Sequence, residues 1–150
     1  SYFAQVCWQR NQQDFLNNQY SRGHQWKFDG GVTVPASASP HIVPLPYSVE
    51  ENVDPEEAFV ASLSSCHMLF FLDFACQAGL RVDSYKDPAV GTLSKDADGR
   101  LAMTKVVLRP QVVFADEQPS PEQIEQLHHQ SHEACFISNS VRTQVCVEPA

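Results

Sequence analysis

Basic residues are scarce in this 150-residue chain: ten Lys and Arg stand against eighteen Asp and Glu, for a net charge of −8 and a pI near 5.1. They are scattered along the chain, not gathered on one periodic face, so no field for a phosphate backbone arises and nucleic acid is not an expected partner. Also missing is any run near the ~18 uninterrupted apolar residues that a bilayer span needs, and the first thirty residues lack the basic-then-apolar layout of a secretory leader. The expectation is a cytoplasmic protein with no membrane partner. No C-x-x-C pair occurs, and the cysteines (Cys7, Cys66, Cys76, Cys135 and Cys146) are odd in number, which is not a secreted disulfide framework. There is no internal repeat and no low-complexity tract.

What is present is the balance of an ordinary globule, 43% hydrophobic and 19% charged residues in the length of a single domain, 1–150. Tyr2 to Gln9, His24 to Phe28, and Val32 with Val34 read as strands, the second closed by Gly30-Gly31. Four prolines between Pro35 and Asp54 argue for an extended surface loop of the length that is more often functional or interfacial than idle. Asp54-Pro55-Glu56-Glu57 then carries an N-cap, a first-turn proline and the Glu of a capping box. From Ala58 to Ala78 the chain is apolar nearly all round, and Gly79 supplies a stop. Such a helix is expected to be central and largely buried, with Cys66 in its middle.

Arg81 to Ser94, Leu101 to Arg109 and Gln111 to Ala115 read as strands, with Ala97-Asp98-Gly99 turning between the first two and Pro110 marking a bulge or edge kink. Ser120-Pro121-Glu122-Gln123 repeats the capping logic and predicts a second helix to about Ala134. Val141, Thr143, Val145 and Val147 alternate as a last strand. The order predicts an α+β domain, antiparallel sheet around a buried helix.

In a reducing compartment most cysteines are small buried apolar residues, and only context lifts one above that reading. Cys66 follows Ser62-Leu63-Ser64-Ser65, small polar residues in an oily helix, and Cys135 stands where a His-rich helix meets a loop. Asp54-Pro55-Glu56-Glu57-Ala58-Phe59 with Ser64-Ser65-Cys66, and the distal Cys135-Phe136-Ile137-Ser138-Asn139-Ser140, resemble the two signatures of the OsmC/Ohr family of peroxidases. The likeness runs from about residue 50 to 149. Tyr20-Ser21-Arg22-Gly23-His24 with Phe28-Asp29-Gly30-Gly31 is more similar to the OsmC-like branch than to the dedicated organic hydroperoxide resistance proteins.

The resemblance implies an intertwined homodimer with sites at the subunit interface, each using a peroxidatic cysteine, a resolving cysteine, an arginine and a glutamate. At matching positions these are Cys66, Cys135, Arg22 and Glu56. It further implies reduction of organic hydroperoxides in oxidative stress defence without a cofactor, with a small dithiol or lipoyl group as reductant.

The residue types suit that chemistry. Thiolate, not thiol, attacks the terminal peroxide oxygen, and a free cysteine near pKa 8.5 needs help when buried. Cys66 lies about three turns from its helix start, too far for the dipole, whereas Arg22 keeps its charge and offers a planar fork that a carboxylate can orient. On a continuous helix, Glu56 and Cys66 are about 15 Å apart along the axis, so a compact cluster is more easily made with elements of two subunits.

Two other classes compete: a redox-sensing or ligand-binding module that reacts without turnover, and a zinc-dependent hydrolase. The zinc set would draw on His128, His129, His132 and Cys135, completed by Cys66 or His67. His24 either assists the site or caps a strand.

Overall fold

The computed structural model describes residues 1–149. The chain forms two compact units, Ser1–Ala58 and Phe59–Ala150. In the first, β1 (Ala4–Cys7), β2 (His24–Phe28) and β3 (Thr33–Ala36) form an antiparallel meander in the order β1-β2-β3. The proline-rich stretch that follows has no helix. It returns to the sheet through a bridge between Ala36 and Val53 and through Ser37 Oγ, which accepts the Val49 N–H at 2.8 Å. The fully buried residues here are small, Ala36 and Ser37, while Tyr2, Phe3 and Leu16 stand open to solvent.

Helix α1 (Pro55–Gln77) begins as its sequence predicts. Asp54 Oδ1 accepts the Glu57 N–H at 2.8 Å, and Glu57 Oε1 accepts the Asp54 N–H at 3.0 Å, a reciprocal capping box. It ends on Gly79 at φ +74°, where Leu80 N–H reaches Ala75 O and Gly79 N–H reaches Cys76 O, a Schellman arrangement that only a residue tolerant of positive φ accommodates cheaply.

In the second unit, β4 (Val82–Lys86) pairs with β7 (Gln111–Phe114), and β5 (Val90–Lys95), β6 (Leu101–Leu108) and β8 (Gln144–Val147) form a second sheet in the order β5-β6-β8. The long strand expected over Arg81–Ser94 is thus two strands: Pro88 cannot donate to a ladder, and the Asp87-Pro88-Ala89 break sends each half to a different sheet. The β5–β6 hairpin turns on Asp96, whose Oδ1 accepts the Asp98 and Arg100 N–H groups, and on Gly99 at φ +76°. One pairing departs from the antiparallel expectation: β8 runs parallel to β6, because the chain returns through helix α2 (Pro121–Ala134) instead of a hairpin. The α2 capping box of Ser120 and Gln123 is present.

Two apolar clusters hold this unit. Phe71 and Ala75 pack with Phe114 and Leu127, while Leu63 packs with Val106 and Leu108. Full burial of a Phe or Leu side chain stabilises by roughly 1.5–3 kcal/mol, so α1 is the element on which both sheets depend.

The expectation that α1 is buried nearly all round is met along one stripe only. Leu63, His67, Phe71 and Ala75 are buried, whereas Leu69 is 60% exposed and Ala61, Ser65 and Asp73 share its open side. By length and composition α1 is apolar enough to cross a bilayer, and in this chain its stripe packs instead on the two sheets.

Candidate thiol site

The buried stripe of α1 faces the buried face of α2. Leu127, His128 and Ser131 recur on α2 at helical spacing, and Cys135 follows as its C-cap, extended at φ −63° and ψ 113°. Cys135 is 1% exposed, and Cys66 on α1 is half-buried. The two thiols are hydrogen-bonded to each other. Burial first, and then that bond, push the Cys135 thiol up to about 11. The Ser138 N–H, 3.4 Å from Cys135 Sγ, pulls the other way and comes from a 3-10 turn at Ser138–Ser140. Cys135 is therefore held as the protonated thiol. The structure thus brings together the two cysteines singled out from sequence, 69 positions apart, while Cys76 is exposed and Cys7 and Cys146 are half-buried.

A second polar pair occupies the same helix–helix contact. His67, next to Cys66, and His128, two turns before Cys135, are 1% and 4% exposed. His67 Nε2 lies 3.0 Å from His128 Nδ1 with the rings almost coplanar, and Phe71 stacks on His128 at 4.4 Å between centroids. Burial lowers both imidazoles to about 4; charge on His128 and His132 adds to the effect at His67, and the Asp87 carboxylate opposes it at His128. Asp87 is itself fixed by Ser64 Oγ at 2.5 Å and the Arg109 N–H at 2.6 Å. Burial and Asp87 push the Tyr85 phenol above its ordinary value.

The rival zinc reading places His128 and His132 on one helix face as metal ligands, against the simpler reading that the histidines pack or hydrogen-bond. His128 instead spends its inner nitrogen on His67 of the other helix, and among the described residues no group of three His, Cys, Asp or Glu side chains is disposed to hold a metal ion. Asp87 was not singled out at all. Its signal is weak: an Asp before Pro is an ordinary turn residue, and only the fold places Ser64 beside it.

Arg22 and Glu56 belong to the first unit. Arg22 stacks on the Tyr20 ring, 3.6 Å from its centroid, donates from Nη1 to Tyr20 O at 2.6 Å and from Nη2 to Asn18 Oδ1 at 2.7 Å. The expected orienting carboxylate is absent from this set, and no ion pair joins Arg22 to Glu56 among the described residues. Glu56 lies in the first turn of α1, with Oε2 buried and without a hydrogen-bond partner among the described residues. His24 does not cap its strand by chance of position: its Nε2 accepts the Trp26 indole N–H at 3.1 Å, so Nδ1 carries the proton shared with Arg22 O at 2.7 Å.

A family model described as OsmC-like protein matches residues 49–149. An OsmC-like protein of unknown function from Vibrio cholerae is 56% identical, with a TM-score of 0.98 over 100% of this chain and 99% of that one. The organic hydroperoxide resistance protein OhrB of Bacillus subtilis shares 20% identity, covering 99% of this chain and 98% of that one at a TM-score of 0.68. An organic hydroperoxide resistance protein from Elizabethkingia anophelis shares 16%, covering 99% and 93% at 0.72. At those two identities the likeness is one of fold. No curated protein matches the chain. With the model spanning both helices and both cysteines of the thiol pair, and the Vibrio relative alike from end to end, the chain belongs to the OsmC-like family.

Proposed function

We propose that the protein is a cytoplasmic thiol-dependent peroxidase that reduces organic hydroperoxides to alcohols in oxidative stress defence. The observation that carries this reading is the meeting of half-buried Cys66 on α1 with buried Cys135 at the end of α2. Names of fold relatives as organic hydroperoxide resistance proteins support it.

Cys66, as thiolate, attacks the terminal oxygen of ROOH. The S–O bond forms, the O–O bond breaks, and alkoxide leaves, taking up the proton that Cys66 had lost to become ROH. Cys135 then attacks the sulfur of the Cys66 sulfenic acid. The S–S bond forms, S–O breaks, and the Cys135 proton departs with the hydroxide as water. The proton that Cys135 carries is the one that leaves with this oxygen. A small dithiol or lipoyl-type reductant restores both thiols by exchange and is itself oxidised to a disulfide.

Thiolate at Cys66 requires a cation, and we assign Arg22, with Glu56 as its carboxylate, from the second copy of a homodimer. Three features support that arrangement. The unbroken α1 keeps Glu56 about 15 Å along the axis from Cys66 in the same chain. Glu56 Oε2 is buried without a partner. Large apolar side chains stand open, Tyr2, Phe3, Leu69 and Phe136 among them, more than isolated surface residues account for.

The deciding experiment follows consumption of tert-butyl and cumene hydroperoxide, against hydrogen peroxide, with a dithiol in excess. Catalytic turnover with preference for the organic peroxides is expected. A single stoichiometric oxidation would replace the enzyme with a redox sensor, and no thiol oxidation at all would end both readings.

A further inference from the structure

Asp87 has both carboxylate oxygens engaged in the second unit, yet it takes no part in the peroxide chemistry proposed above. It stands in the Asp87-Pro88-Ala89 break, where the chain passes from β4 to the other sheet, and Arg109 stands in the return passage from β6 to β7. Asp87 Oδ1 accepts the Arg109 N–H at 2.6 Å, and Oδ2 accepts the Ser64 hydroxyl at 2.5 Å. One carboxylate thus ties both passages between the sheets to α1. Bonds to an ionised acceptor are about twice as strong as neutral ones, and among the described residues no ion pair competes for Asp87.

Ser64 and His67, three residues apart on α1, are neighbours on one helix face, and Cys66 lies between them in the chain. Ser64 is anchored to Asp87, and His67 to His128 of α2. Cys66 therefore sits on a turn fixed at two points, one to the junction of the sheets and one to the helix that ends on Cys135. Asp87 acts on the α2 side as well, since burial lowers the His128 imidazole and the Asp87 carboxylate opposes that effect. A disulfide requires Cα atoms about 4.4–6.8 Å apart and a narrow range of dihedral angles. A small rotation of the Cys66 turn would therefore weaken closure of the pair more than it weakens the fold.

We propose that Asp87 is a positioning residue of the thiol pair: through Ser64 it sets the turn of α1 that presents Cys66 to Cys135, and so it sets how readily the two close into a disulfide. This rests on Cys66 and Cys135 being the reacting pair. In exchange with a disulfide reagent, the two protein thiols give up two electrons and two protons. The S–S bond forms in the protein and breaks in the reagent, which leaves as its dithiol. A turn already held in place favours closure because less freedom is lost when the bond forms.

The protein is equilibrated with defined ratios of reduced and oxidised dithiothreitol and quenched with an alkylating agent, and the Cys66–Cys135 disulfide is read by peptide mass mapping. Asp87→Asn keeps the shape but turns an amide NH2 towards one of the two donors. It is expected to lower the equilibrium constant for closure about tenfold, the scale of one hydrogen bond to a charged group, which is a potential about 30 mV less negative. Ser64→Ala should shift the equilibrium the same way, and it decides the matter alone if Asp87→Asn does not fold. The double variant should go no further than Asp87→Asn, and Ser64→Thr, which keeps the hydroxyl, should stay with the wild type. A purely structural role would lower the thermal midpoints of the dithiol and disulfide forms alike and leave the equilibrium where it was. That result overturns the proposal, as do additive effects in the double variant. A wild-type protein that forms no Cys66–Cys135 disulfide at any ratio would remove the peroxidase reading too, whereas wild-type closure with unshifted variants removes the role of Asp87 alone.

Discussion

Two pairs of polar side chains bridge α1 and α2, and they are affected in opposite directions by the same surroundings. At His67 and His128 burial lowers the imidazoles to about 4, and at Cys135 it raises the thiol to about 11. Both shifts have one meaning: the contact favours whichever form is uncharged, removing protons from bases and leaving them on acids. The histidine pair is complete in that state, with its inner nitrogens joined, whereas a thiol pair that is to attack a peroxide is not. A thiolate has to be stabilised from outside this contact, because the paired imidazoles, His67 and His128, are held neutral. That is the physical reason for seeking a permanent guanidinium and not a histidine.

The comparison breaks most visibly at the thiols. Cys66→Ser is expected to reduce peroxide turnover to background, whereas Cys135→Ser should complete one oxidation, stall, and accumulate sulfinic acid, which intact mass measurement reads as two added oxygens. Activity of Cys66→Ser equal to the wild type would remove the proposed mechanism altogether.

At the histidines the expected effect is on stability. His128→Ala removes the Phe71 stack and strands His67 Nε2 in the interior, a loss of about 3 kcal/mol in denaturant unfolding from cavity and unmet hydrogen bond together. Replacing both residues by leucine should cost much less, since no polar group is then left alone. If the double variant falls as far as the single one, the pair contributes packing shape and not polar complementarity.

A smaller, graded effect comes from pH. The folded histidines titrate near 4 against an ordinary 6.5, so the unfolded chain binds protons first, and the stability they contribute is present above 6.5 and lost as pH falls towards 4. Cys135 acts on the other flank: its thiol is raised from 9.0, so its contribution is present below 9 and lost as pH rises through about 11. Thermal midpoints measured across pH should show a plateau between about 6.5 and 9, with an acid flank worth at least about 3 kcal/mol that the double leucine variant flattens. An unchanged acid flank in that variant would assign acid sensitivity to other groups.

These pairs were unequally legible in the sequence. The ends of both helices could be read because their chemistry is local: Asp54 with Glu57, Ser120 with Gln123, and Gly79 each act within a few residues of chain. Cys66 and Cys135 were legible through their motifs, although the hydrogen bond joining them depends on how two helices pack. The partner of His128 was not legible, because spacing along one helix says nothing about the element facing it. The half-open α1 shows the same limit. An all-apolar helix announces burial, and a single chain covers only the stripe from Leu63 to Ala75. The division of one expected strand at Pro88, and the parallel β8, likewise follow from which sheet each segment joins.

The parallel pairing of β8 with β6 has a consequence for how the molecule is made. A hairpin partner such as β5 is available within a few residues, but β6 acquires its second neighbour only after Val147 has been synthesised and the chain has crossed over through α2. Until then the buried strand residues Val106 and Leu108 sit beside an unpaired ladder, and the turn carrying Cys135 has no anchored strand after it. Closure of this sheet is therefore a late, long-range event in folding, and the turn that positions Cys135 is fixed only once it is complete.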